Sequence, residues 1–149
     1  MHENKMKRKA IIFFVIVVII LIGFLYLNWT MFGDRSSFQT GLASYQGIPK
    51  TASDITIYEN RNISGTFLAD FKIAESDFVA FASTNSWAIQ PIANTEYVFQ
   101  ATAFNEKRPN DKKEITDGLY YSKRAANGGG ITVVYDRKTG RGYIESSSR

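Results

Sequence analysis

The chain has 149 residues, a formal net charge of +4, one histidine and no cysteine. With that histidine at position 2, the residues beyond it cannot build a Ser-His-Asp triad, a catalytic thiol, an ordinary zinc site or a disulfide framework. Charge is unevenly spread: residues 1–9 hold four basic residues against Glu3, residues 30–106 hold four against eight acidic ones, and residues 107–149 hold ten against five.

Residues 10–27, AIIFFVIVVIILIGFLYL, are 18 consecutive positions without a charge. At 1.5 Å per residue a helix of this length extends roughly 27 Å, close to the hydrocarbon thickness of a bilayer. A lone span must satisfy its backbone groups internally, so a helix is predicted despite the many Ile and Val residues. We read residues 1–9 as a cytoplasmic basic tail and residues 10–29 as a transmembrane helix. Lys5, Lys7, Arg8 and Lys9 orient it by the positive-inside rule, and Tyr26 and Trp29 fall at its outer end, where amphipathic rings favour the headgroup level. The competing reading is a cleaved signal, whose apolar region is usually about 7–15 residues and ends in a small-x-small site. The following residues, NWTMFGDR, offer no such site, so an uncleaved anchor is preferred. Gly23 has no small-residue partner and the run holds no ionisable group, which suits a tether better than a dimer seam or an ion path.

About 120 residues remain, the usual size of one compact domain. Residues 30–50 mix Ser, Gly and Thr with scattered aromatics and read as a juxtamembrane spacer, with Phe38, Leu42 and Tyr45 a weak signal for a surface helix. A domain over residues 51–149 follows. DITIYEN from Asp54 puts Ile55 and Ile57 on one side of a strand, and SGTFLADFKI alternates again, with Phe67, Ala69, Phe71 and Ile73 opposing Leu68, Asp70 and Lys72. A hairpin is expected. At Ala74 the period changes: Phe78, Val79, Phe81 and Ala82 recur at helical spacing behind Glu75, Ser76 and Asp77, predicting a helix over 75–86 closed by Trp87 as a core anchor.

EYVFQATAF, residues 96–104, reads as a strand with Tyr97, Phe99, Ala101 and Ala103 on one face and Val98 on the other. The charged stretch 105–117, which holds Pro109, reads as an exposed loop. GLYYSKRA, GITVVYDRK and RGYIESSS then form a three-stranded meander around ANGG and TG turns, with Ile131, Val133 and Tyr135 on one face. The fold class is α+β: an N-terminal transmembrane helix, then an antiparallel sheet of five or six strands packed on one helix.

Chemistry-bearing residues are sparse. Glu75, Asp77, Asp117 and Asp136 are the carboxylates that a metal site or a glycosidase pair would need, yet spacing alone does not bring them together, and solvated charge is the simpler reading. The loop NDKKEITD lacks the ligand alternation and glycine of a calcium loop. NGGG, residues 127–130, leads into a strand and not a helix, so a hairpin turn is preferred to a phosphate cradle. Two glycosylation triplets, beginning at Asn28 and Asn62, are assigned no role. On the meander, tyrosines interleave with cations, and Tyr121, Lys123, Arg124, Tyr135, Arg137, Arg141 and Tyr143 are the candidate binding face, able in principle to stack on sugars while steering an anion. Cross-strand tyrosine packing with charges on the wet side is the plainer reading.

The runs IPKTASDITIY, FKIAESDFVAFASTNSW and GGGITVVYDRKTGRGYIESSSR together resemble small bacterial membrane-anchored envelope proteins and lipoproteins. The resemblance implies a bacterial host and an envelope location, and carries over no activity and no catalytic residue. The functional expectation is a membrane-anchored extracytoplasmic binding module, not an enzyme, with no cofactor and no nucleic-acid partner. Its partners are the bilayer through residues 10–29 and either an envelope protein or an anionic envelope polymer. A structural or accessory subunit of an envelope complex is the alternative, and a hydrolase using carboxylates alone stands behind it.

Overall fold

The computed structural model describes residues 2–32, 35–61, 65–108 and 111–148. The chain divides into two compact units, residues 1–34 and residues 35–149. The first is one helix, α1 (His2–Phe32). Within it Ile11–Thr30, 20 residues, is long and apolar enough to cross a membrane, and its large apolar side chains are almost all exposed. The helix is longer than the predicted span of 10–29 because the Lys, Glu and Met residues before the apolar run are good helix formers.

The second unit contains β1 (Ser36–Leu42), β2 (Ser53–Asn60), β3 (Thr66–Lys72), α2 (Glu75–Thr84), β4 (Gln90–Pro91), β5 (Glu96–Phe99), α3 (Ala101–Asn105), β6 (Lys112–Ile115), β7 (Gly118–Arg124), β8 (Gly130–Asp136) and β9 (Arg141–Ser147). Among the described residues seven strands join one antiparallel sheet in the order β1-β2-β3-β9-β8-β7-β4, where five or six were expected, and β5 pairs with β6 in a separate ribbon. The α+β architecture, the β2–β3 hairpin, the helix and the C-terminal meander are as read from the sequence.

Strand alternation sends one set of side chains to each face, and both faces are covered. On the first, Ile55, Ile57, Ala69, Phe71, Val133 and Ile144 pack with Phe78 of α2 and with Ile48 and Ala52 from the segment before β2. Phe78 and Ala82 lie four apart on α2, so they stack on one side of it, and both are fully buried. On the second face, Val98 of β5 and Ile115 of β6 close over Val134 and Tyr143. Beside them Phe104 of α3 lies 5.5 Å from the ring of Tyr58 and 5.3 Å from that of Phe99.

Three expectations are corrected. Residues 30–50 are not simply a spacer with a short helix, because Ser36–Leu42 is a strand paired with β2 and Ile48 is buried. Its alternation is hidden by an irregularity between Gln39 and Leu42, where Gly41 takes φ 67°, so that Phe38 and Leu42 face opposite sides four residues apart. Residues 96–104 are strand only to Phe99, after which the alanines begin α3, and the buried side chain is Val98 while Tyr97 is 57% exposed. The stretch 105–117 is not all loop: Lys112–Ile115 pairs with β5 and buries Ile115, while Pro109 lies outside the described residues, as do Asn62 and its triplet.

Candidate functional site

The seven residues of the candidate face do not form one surface. Tyr121 and Tyr135 point to the α2 face, and Tyr143 to the opposite one beneath the β5–β6 ribbon. Tyr135 is buried, its ring 5.1 Å from Phe78 and its hydroxyl donating to the Ile73 carbonyl at 3.3 Å. Arg137, in the β8–β9 turn, joins Glu75 at the start of α2 (2.7 Å) to Asp117 before β7 (3.1 Å), and these hydrogen bonds hold it above its ordinary pKa. Arg141 donates to Asp54 Oδ2 at 2.7 Å, to the Asp54 carbonyl at 3.0 Å and to Asp70 Oδ1. Both guanidiniums thus tie distant parts of the chain together. Lys123 and Arg124, at the far end of β7, are exposed on opposite faces of the strand; neither is within ion-pair distance of a carboxylate among the described residues, but the Arg124 charge acts on Glu145.

A second polar cluster was not legible from the sequence. Lys113 of β6 places Nζ 2.8 Å from Asp136 Oδ2 and donates to Tyr143 Oη at 2.7 Å. Asp136, only 4% exposed, also receives the Thr139 hydroxyl at 2.7 Å and the Lys138 amide at 3.0 Å, so one carboxylate shapes the turn and holds the ribbon. Burial works against its charge, but Lys113 and Thr139 outweigh that and hold its pKa below the ordinary value. Asp70 shows the opposite balance: burial dominates and pushes its carboxyl up despite Arg141. A polar groove of about 640 Å³ opens over this cluster, with Lys113, Arg137 and Lys138 balanced by Glu114, Asp117 and Asp136. Among the described residues no group of three or more His, Asp or Glu side chains is placed to share a metal ion.

At the other end of the sheet, helix α2 stops in a Schellman motif. The Trp87 amide donates to the Ala82 carbonyl at 2.9 Å and the Ser86 amide to that of Ser83 at 3.0 Å, with Ser86 at φ 58°. The motif turns Trp87 back onto Phe81, edge to face at 5.2 Å, and lays its indole within 19° of parallel to the Tyr121 ring at 6.3 Å. Both rings are half-buried. Strand β4 pairs only with Leu119 and Tyr120, so beyond them β7 presents an open edge from Ser122 to Arg124 among the described residues. Of the candidate residues, this corner gathers Tyr121 and Lys123, with Arg124 on the other face of the same strand end. Trp87 joins them although the sequence marked it only as a core anchor; the signal available was its place after a helix stop.

No family model, curated protein or solved structure matches the chain.

Proposed function

We propose that the protein is a single-pass membrane protein of the bacterial envelope, with the segment before the apolar helix in the cytoplasm and residues 35–149 outside, acting by binding. The observation that carries this reading is the stretch Ile11–Thr30: 20 residues, uncharged, with apolar side chains that nothing in their own unit covers. A helix with this surface is favourable in lipid and costly in water. Lys5, Lys7, Arg8 and Lys9 ahead of it favour the stated direction, and Tyr26 and Trp29 suit the outer interface. Binding is favoured over catalysis because the buried carboxylates Asp70 and Asp136 are each engaged by a cation in a way that builds the fold.

The absence of native thiols makes the test direct. In Ser148→Cys, a membrane-impermeant maleimide is expected to label intact spheroplasts as fully as lysed ones. Labelling only after lysis would reverse the orientation, and a mature form starting beyond residue 30 would replace the anchor with a signal. Crosslinking in intact cells then identifies the partner, and recovery of the chain with no neighbour beyond lipid would count against a binding role.

A further inference from the structure

We propose that the corner formed by Trp87, Tyr121 and the open end of β7, flanked by Lys123, binds an acidic glycan. The inference rests on the reading that this domain stands outside the membrane and works by binding; it names the ligand class.

Four observations converge on one corner. The Trp87 and Tyr121 rings are 6.3 Å apart and within 19° of parallel. At that spacing the two near-parallel rings are not in the about 3.5–4 Å contact of a full face-to-face stack, and each residue stays partly exposed. Such an aromatic terrace suits the flat C–H face of a pyranose ring. Second, the terrace is rigid, because the Schellman motif and the edge contact with Phe81 fix Trp87 before any ligand arrives.

Third, the sheet edge beside the terrace offers backbone polar groups. The Ile92 amide donates to the Gly118 carbonyl at 3.0 Å, so even-numbered residues of β7 turn their N–H and C=O groups toward β4. Because β4 stops opposite Tyr120, the groups of Ser122 and Arg124 face an edge that no strand covers among the described residues, open to sugar hydroxyls. Fourth, Lys123 lies on the same face as Tyr121, about 7 Å farther along the strand. Arg124 is exposed on the opposite face of the strand end, where its charge acts on Glu145, so Lys123 is the cation that favours acidic over neutral sugars.

An extended acidic peptide added as a strand is the rival occupant. It fits less well, because the open edge is three residues long where strands usually have about 5–6, and cationic side chains on an edge oppose strand addition. A glycan needs no ladder.

The chain has two tryptophans, so full-length Trp29→Phe protein in detergent micelles reports on Trp87 alone. Titration with a galacturonate hexasaccharide should give a saturable change in Trp87 emission that weakens with added salt, and maltohexaose should bind less tightly. Lys123→Gln should weaken the galacturonate response about threefold at low salt. Tyr121→Leu should abolish it; where Tyr121→Leu lowers the melting temperature, the Lys123→Gln variant, whose side chain is exposed, decides. No saturable response to galacturonate, an equal response in the charge variant, or a response to polyglutamate alone would overturn the proposal, the last in favour of an acidic peptide. Labelling of Ser148→Cys separates the two levels: outside labelling with no sugar response removes the glycan alone, and inside labelling removes the envelope reading whatever the titration shows.

Discussion

Lys113 holds its ammonium 2.8 Å from Asp136 Oδ2, and through that contact the β5–β6 ribbon is fastened to the turn between β8 and β9. The pair sits where Tyr143 and Thr139 supply the remaining hydrogen bonds, so each charge is solvated by protein.

Removing one member should therefore cost more than the pair contributes, because the other is left partly buried without its counter-charge. Asp136→Asn is expected to lower stability by about 2 kcal/mol at pH 7, read by urea unfolding of the full-length protein. The pH dependence has a definite sign. The folded pKa of Asp136 lies below its ordinary value of 3.8, so its contribution is fully present above that value and is lost as pH falls through the folded one. The deficit of Asp136→Asn should be largest at neutral pH and shrink below about pH 4.

Asp70 should behave in the opposite way. Burial raises its pKa above 3.8, so the folded state binds its proton more readily, and stability is lost as pH rises from the unfolded value through the folded one. In Asp70→Asn, Arg141 keeps its contacts to Asp54. The expected loss is about 1 kcal/mol, greatest in acid and smaller at neutral pH. Equal losses with the same pH trend in the two variants would mean that both carboxylates play one role.

What could be read in the sequence follows the range of the forces involved. The β2–β3 hairpin, α2 and the meander each carry their pattern within one short window, as in Phe78 and Ala82 on α2 or Ile131, Val133 and Tyr135 on β8. Strand β1 is ordered by β2 across the intervening segment, and its irregularity at Gly41 breaks the period that would have announced it. Lys112–Ile115 looked like loop because its one buried side chain, Ile115, is paid for by Val98, Val134 and Tyr143 from elsewhere in the chain. The candidate face presupposes one wet side to the sheet. Since α2 covers one face and the ribbon the other, Tyr135 and Tyr143 are both buried, on opposite sides, and Arg137 and Arg141 are turned to carboxylates 20 to 87 residues away.

Gly142 marks how tightly the α2 face is closed. A Cβ built there would lie 2.8 and 2.9 Å from two ring carbons of Phe71 and 3.1 Å from one of Phe78, both fully buried rings. Neither ring is a flexible chain end, so the strain must pass into the core. Gly142→Ala is expected to destabilise by about 1–3 kcal/mol through overpacking, whereas an ordinary exposed substitution stays within about 0.5 kcal/mol. Unchanged urea midpoints would mean that α2 can move away from the sheet at little cost.

The helix stop at Ser86 gives a prediction of the reverse sign. A Schellman motif needs one residue in the left-handed region, and Ser86 occupies it at φ 58° where glycine is usual. Its side chain is exposed, so no packing offsets the clash between its Cβ and the backbone. Lys107 repeats the arrangement after α3, with φ 57°, its amide donating to the Phe104 carbonyl at 3.1 Å and that of Arg108 to the Ala103 carbonyl at 2.7 Å. Glycine also widens the unfolded ensemble, which takes back part of the gain. The net expectation for Ser86→Gly and for Lys107→Gly is a stabilisation of about 0.5–1 kcal/mol each. The two sites share no hydrogen-bond partner, so the double variant should show the sum. In Ser86→Gly the emission of Trp87, measured on the Trp29→Phe background, should stay the same, since the bond to Ala82 and the contact with Phe81 persist. A loss of stability there would mean that the serine holds the turn by some other contact and that Trp87 is not positioned by the motif.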